Sequence, residues 1–499
     1  MMISKRTIRA VSPARGAVLA IGMRWTDRLI GVVSTLVLAR LLVPADFGVV
    51  AMASLVVGLV DTLLDLGVSS ALIQNRDAGR DDFNAAWTLR LFQAICAALL
   101  IWFSAPLAAD YFKDANVTAV VRMMAVATLI GGFENIGIVA FQKNMEFGRD
   151  FKFFFFRRVA GFGVTIGLAF WLQSYWAMVI GALVGRCVGV LISYVLHDFR
   201  PRLSLTSARK IWSFSQWILV RNMGHFGLAQ VDKFLVGRRT DAATMGAYTL
   251  ADDLAALPGT ELLAPIGRIL FPLFVEASND EEKLRIAFCK AIGVQSLVAL
   301  PAAVGLSIVA DDAVRLLLGE RWLSVIPIMQ VLALIGIFSA LANSSAYLLL
   351  ALGKVRSQAL IVWPQLGILL ILAAVVYPEA GPLGIANIRL GIAAVGSATF
   401  IGLVLYYVDS IRLADVIAHT WRPMISAVVM TVALVFLPEK DSLELTVRLA
   451  ISVGLGAMIY CVMLLAVWRL TGACEGAETY LLEKVGLKDA LDRWIRPAR

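Results

Sequence analysis

The chain has 499 residues, 60% of them hydrophobic and 16% charged, with 45 Lys and Arg against 36 Asp and Glu. That balance excludes a soluble globular domain, and basic loops beside a membrane account for the net charge of +9 without a nucleic-acid partner. Five scattered cysteines without a CxxC and three dispersed histidines exclude a disulfide framework and supply no metal or cofactor site.

In chain order, residues 1–14 carry Lys5, Arg6 and Arg9 and no small-residue cleavage pattern, so they read as a retained cytoplasmic tail. Apolar runs long enough to span a bilayer, roughly 20 residues each, then follow one another. They predict an all-α polytopic membrane protein of about fourteen transmembrane helices. The expected spans are 15–42, 47–73, 83–108, 117–142, 152–172, 175–197, 212–238, 244–275, 284–310, 324–351, 357–377, 382–408, 421–437 and 446–470.

Two segments repeat each other. Arg40, Ala45, Gly48 and Ala53 recur as Arg238, Ala243, Gly246 and Ala251, an offset of 198 residues. So long a period makes the repeat unit a bundle of about six helices. The expected organisation is a six-helix lobe over 15–210, a second over 211–408, two further helices over 409–470 and a cytoplasmic tail over 471–499. Duplicated bundles are how many transporters build a site that can face either side of a membrane.

Lys and Arg alternate between rich and poor connections. Arg76/Arg80, the Lys143–Arg158 group, the Arg200–Lys210 group, Lys283/Arg285 and Lys354/Arg356 fall on one side with both termini. That side reads as cytoplasmic. The tail could form a surface helix with Leu481, Leu482, Val485, Leu491, Trp494 and Ile495 toward lipid, or be solvated.

Ionisable residues inside spans are costly and point to function. Counted from the turn at Pro44, Arg28 and Asp61 lie at one depth, and Arg24 and Asp65 at another a helical turn deeper. Two cytoplasmic-side ion pairs follow, either a staple between helices one and two or a gate. Arg221 and Glu261 are the equivalent pair in the second lobe. Asp232, Lys233, Asp252 and Asp253 are expected about 15 Å deep, where the first lobe has Ser34, Thr35, Ser54 and Leu55. One lysine cannot neutralise three carboxylates, so this group is the candidate for proton or Na⁺ coupling. Pro258, Pro265 and Pro272 mark helix eight as bent. Gly181, Gly185 and Gly189 mark a close-packed face on helix six.

No GxxxxGK[ST], HExxH or GxSxG occurs, so nothing points to an enzyme. The one acidic triplet, Glu439-Lys440-Asp441, is a weak glycosyltransferase signal.

The segment from Ala39 through Pro44 to Gly48, with Asp65-Leu66-Gly67 and Ala71-Leu72-Ile73-Gln74, resembles the polysaccharide transporter family of Wzx-type flippases. Asp232–Gly237 and Pro265–Pro272 resemble that family's second half. The superfamily also contains the multidrug (MATE) exporters and the lipid II flippase. The resemblance implies export of polyprenyl-diphosphate-linked oligosaccharide repeat units across a bacterial inner membrane by alternating access. Partners would be the lipid-linked oligosaccharide, the bilayer, and possible polysaccharide polymerase and chain-length proteins. Arg186, Arg90, Arg268 and Arg389, within or at the margins of spans, fit an anionic cargo because a guanidinium forks onto phosphate oxygens. Arg186, halfway down helix six, is the foremost of these. A MATE-like cation or drug antiporter is the alternative from the same fold, and a membrane glycosyltransferase or glycan polymerase the alternative from another class.

Overall fold

A computed structural model describes residues 13–65, 67–74, 78–144, 146–206, 208–436, 444–471 and 477–479. Among them are sixteen α-helices and no strand. They run α1 (Pro13–Leu41), α2 (Pro44–Leu64), α3 (Val68–Gln74), α4 (Arg80–Phe112), α5 (Asn116–Gly132), α6 (Val139–Lys143), α7 (Phe147–Leu172) and α8 (Trp176–Leu196). There follow α9 (Ala208–Arg239), α10 (Ala242–Ala255), α11 (Ala264–Ala277), α12 (Glu281–Leu317), α13 (Val325–Ala351), α14 (Val355–Tyr407), α15 (Leu413–Val435) and α16 (Leu445–Leu470). Among the described residues, ten helical stretches are long and apolar enough to cross a membrane, two of them the halves of α14, or eleven with one bent pair counted as a span. The chain is an all-α, multi-pass membrane protein.

Several expected spans are broken, each for a local reason. The span expected over 47–73 stops at Leu64, because Gly67 turns to φ 58° and donates its N–H to Asp65 Oδ1 at 2.9 Å. The span expected over 117–142 bends by 68° between Gly132 and Ile136. At that break the fully buried Asn135 accepts from the Gly137 N–H at 2.9 Å and donates to the Phe199 carbonyl at 2.6 Å. Its own N–H donates to Ser193 Oγ, so one side chain and one amide tie the break to the end of α8. The proline-rich segment expected over 244–275 divides into α10, a π-helical turn at Gly259–Leu263, and α11. The two spans expected over 357–377 and 382–408 are both present, as the stretches Arg356–Val375 and Ala380–Tyr407 of α14, which meet at Gly381, where φ is 58° and the backbone leaves the helical region.

The repeat is visible in the backbone. Helices α1 and α9 end at Leu41 and Arg239, and α2 and α10 begin at Pro44 and Ala242, each pair 198 residues apart. The two turns are capped in opposite senses. Asp46 accepts from the Val43 N–H at 3.1 Å, whereas Asp241 accepts from the Thr244 N–H at 2.9 Å. The two helix starts also meet at their glycines. A Cβ on Gly48 would fall 1.7 Å from the Ala242 carbonyl oxygen, and one on Gly246 would fall 1.9 Å from that of Pro44.

The helices group into two compact units, Met1–Gly246 and Ala247–Arg499. In the first, α1 packs on α7, α7 on α8, α8 on α5, and α2 on α5, α9 and α4. Helix α9, which the repeat assigns to a second lobe beginning at 211, therefore packs within the first unit. Stacked Phe112 and Phe234 rings, 6.2 Å apart, and Arg238 over the Tyr111 ring hold it to α4. The glycine face on α8 is in close contact, with Gly185 against Gly161 and Gly189 against the stem of Arg157. In the second unit, α12 is the central helix, packed on α13, α15 and α16, with α13 on α14. Buried Phe274, Phe288, Ile292 and Leu348 form its apolar core.

A candidate anion site in the first unit

Arg90, Arg157 and Arg186 each lie ten residues inside their helices, α4, α7 and α8, which begin at Arg80, Phe147 and Trp176. Ten residues are ~15 Å of helix, so each arginine projects from within its helix rather than from an end. The break after α5 delivers Glu134 to the same place. Arg90 Nη2 donates to Glu134 Oε1 at 2.9 Å, and Arg157 Nη1 lies 3.4 Å from Glu134 Oε2. Glu134 is buried and the two arginines keep about a quarter of their side-chain surface. Arg186 lies against Gly131, its Nη1 3.3 Å from where a Cβ would stand. Arg157 is acted on by Arg186, Glu134, Arg90 and Arg158. Glu134 thus faces two guanidinium groups, with Arg186, which also acts on Asp61, beside them, and such forks suit the oxygens of an anion.

Two cavities flank this group. One, about 460 Å³, lies among α1, α7 and α8, lined by Arg157, Arg158 and Arg186 with Ser34, Thr35 and Thr165. The other, also about 460 Å³, is lined by Asp61, Thr62 and Asp65 of α2, Gln93 of α4, and Asn222 and His225 of α9.

Of the residues singled out from sequence, Arg90 and Arg186 come together in this unit. Arg157 and Glu134 were missed. Arg157 falls inside the expected span 152–172 but reads, with Lys152 and Arg158, as part of the preceding basic connection; α7 carries it. Glu134 carried the needed signal, a lone acid inside an expected span. Arg186 and Asp65 both act on Asp61. Arg28 lies on α1, which packs mainly along α7, while α2 packs on α5, α9 and α4. Asp65 accepts from Asn222 Nδ2 at 3.3 Å. The side chains of Arg24, Arg221 and Arg268 lie outside the described residues, as do the acidic triplet at 439–441 and the tail beyond 479.

On α9, Asp232 is fully buried and Lys233 nearly so. In the second unit, Arg389 pairs with Asp252 at 2.9 Å, both under one-fifth exposed, so a residue read as cargo-binding and one read as cation-coupling neutralise each other. Asp253 is exposed and Glu261 half-buried. Arg422 pairs with Glu478 at 3.6 Å, and Ala477 sits against Gly293, so the start of the tail docks on α15 and α12.

Known proteins of the same build bear on this arrangement. The chain is 26% identical to the lipopolysaccharide biosynthesis protein WzxC of Escherichia coli K12, over 65% of its length and 67% of that protein's. It is 26% identical to the teichuronic acid biosynthesis protein TuaB of Bacillus subtilis 168, over 82% and 86%. Against the succinoglycan biosynthesis transport protein ExoT of Rhizobium meliloti the figures are 25%, 87% and 88%. In fold it matches the lipid II flippase MurJ in an inward closed conformation, with TM-score 0.71 at 13% identity over 91% of this chain and 99% of that one. It also matches an inward-facing multidrug MATE transporter, with TM-score 0.58 at 14% identity over 77% and 95%. The polysaccharide biosynthesis protein family matches residues 37–327, more than half of the sequence, and the chain belongs to that family.

Proposed function

We propose that this protein is a transporter and not an enzyme, a flippase that carries polyprenyl-diphosphate-linked oligosaccharide repeat units across a bacterial inner membrane for surface or exopolysaccharide synthesis. The observation that carries the reading is the group of arginines inside three apolar helices around a single buried glutamate. Arginine there is expensive unless it serves an anion, and a diphosphate offers the oxygens its fork fits. A cationic drug would meet repulsion at this place, which ranks a MATE-like exchanger second. The roles of WzxC, TuaB and ExoT in surface polysaccharide synthesis support the same cargo class.

On this reading two six-helix lobes alternate access, both termini are cytoplasmic, and polymerase and chain-length proteins receive the product. Asp232 and Lys233 of α9 with Asp252 and Asp253 of α10 couple transport to a cation. Protonation or Na⁺ binding shifts the balance of inward- and outward-facing states by its differential affinity for the two. Arg268 and Arg389 contribute further positive charge along the path, Arg389 on exchange of its Asp252 partner. Arg24, Arg28 and Asp65 of the first repeat guard the cytoplasmic side of the path, and Arg221 and Glu261 are their counterparts in the second.

The test is translocation of a polyprenyl diphosphate oligosaccharide in proteoliposomes. Arg186→Ala should abolish it at normal protein level, and Arg186→Lys should restore only part, since the charge stays and the planar fork is lost. Full translocation by Arg186→Ala would overturn the assignment.

A further inference from the structure

The cavity bounded by α2, α4 and α9 is unlike the arginine-lined one. Its six lining side chains, Asp61, Thr62, Asp65, Gln93, Asn222 and His225, all carry polar groups. They mix acceptors with donors, as a polyhydroxylated ring requires, and the volume of about 460 Å³ lies within the range of small-molecule sites. A metal ion is a poorer occupant. Among the described residues, no three His, Cys, Asp or Glu groups are placed to hold one. The cavity also adjoins the anion site through two links. Gln93 is three residues from Arg90 on α4, hence on the same face, and Asp61 lies in the field of Arg186. Asp65 is held in place by Asn222 at 3.3 Å and by the Gly67 N–H at 2.9 Å, while Asp61 is exposed to the cavity.

We infer that this cavity is the subsite for the sugar attached directly to the diphosphate, and that it selects an uncharged or amino sugar over a uronic acid. The inference rests on the flippase reading above. Carboxylates accept from vicinal hydroxyls in pairs, and the Gln93 and Asn222 amides donate to ring and hydroxyl oxygens. A uronic acid would bring a third negative charge against Asp61 and Asp65, and like charges at such close range repel.

Three probes separate the outcomes: a polyprenyl diphosphate with no sugar, one bearing a neutral hexose and one bearing a hexuronic acid, each titrated against the purified full chain in detergent. The hexose probe should bind roughly tenfold tighter than the sugarless one, and the hexuronic acid probe no tighter than it. Asn222→Ala should reduce the hexose-to-sugarless affinity ratio by roughly fivefold to tenfold, and Asp61→Asn should raise the hexuronic-to-hexose ratio. Equal binding of all three probes, or equal loss of hexose and sugarless binding in Asn222→Ala, would overturn the subsite and leave the flippase reading standing. Failure of every probe to bind would overturn both.

Discussion

Glu134 is the point at which the anion site is most exposed to test. It accepts from Arg90 at 2.9 Å and lies 3.4 Å from Arg157, while its own side chain is only 5% exposed. Breaking a fully buried ion pair costs about 3–5 kcal/mol. Here the arginines keep about a quarter of their surface, and glutamine at 134 still offers one acceptor, so water and the amide recover part of that cost. The expected penalty for Glu134→Gln is therefore about 2–3 kcal/mol. The carboxylate also occupies the charge that an incoming diphosphate would occupy. Glu134→Gln should thus lower the thermal midpoint of the purified protein and at the same time bind polyprenyl diphosphate more tightly, about tenfold for each 1.4 kcal/mol of competition removed. Saturating the variant with that ligand at about a hundred times its Kd returns about 2.7 kcal/mol, enough to bring its midpoint back to that of the unmodified protein. Thermal unfolding in detergent with and without the ligand reads both effects. Weaker ligand binding by Glu134→Gln, or an equal ligand shift in both proteins, would refute the view that Glu134 holds these arginines ready for an anion.

Three further outcomes are expected. Asp232→Asn should impair transport and remove its dependence on a proton or Na⁺ gradient, measured in proteoliposomes; gradient-independent transport by the unmodified protein would leave Asp232 a structural residue. Gly48→Ala and Gly246→Ala should each cost about 1–3 kcal/mol by overpacking, and the double variant less than their sum, because prising the contact open once makes room for both. Strict additivity in unfolding would count against the shared contact. At Asp241, hydrogen bonds from Thr244 hold the carboxyl below its ordinary value. Folding is therefore favoured by the ionised cap above the unfolded-state value of about 3.9, and that contribution is lost as pH falls through the lower folded value. Asp241→Ala should cost about 0.5–2 kcal/mol near neutral pH, and the difference from the unmodified protein should vanish in acid. A pH-independent difference would show the cap plays no part.

Composition and apolar run length made the membrane class and the repeat legible, because a bilayer imposes one length scale on every span. Helix ends at Leu41 and Arg239 stand in register because the same turn sequence was used twice. Interruptions were harder to read. Gly67 and Asn135 each break a run through a local backbone turn or a long-range hydrogen bond, and hydropathy averages over both, whereas the interruption at Gly381 falls between the expected runs 357–377 and 382–408. The site was half legible. A charge inside a span stands out, so Arg90 and Arg186 were found. Arg157 lay inside the expected span 152–172, but a basic residue close to Lys152 and Arg158 near a boundary reads as a loop charge. Depth matching compares heights along two helices only, and which faces meet depends on packing, here of α1 mainly along α7.

The meeting of Gly48 with Ala242 and of Gly246 with Pro44 has the form of an isologous interface drawn within one polypeptide. Each side offers the same patch, and each glycine docks on the residue that corresponds to the other's partner. Two identical copies of one bundle, related by a twofold axis, would make this contact with no covalent link between them. Within one chain either side can change alone, as Pro44 against Ala242 shows, but each change is felt at a contact that both glycines share. The two glycines are in this sense a single trait, held at two addresses 198 residues apart.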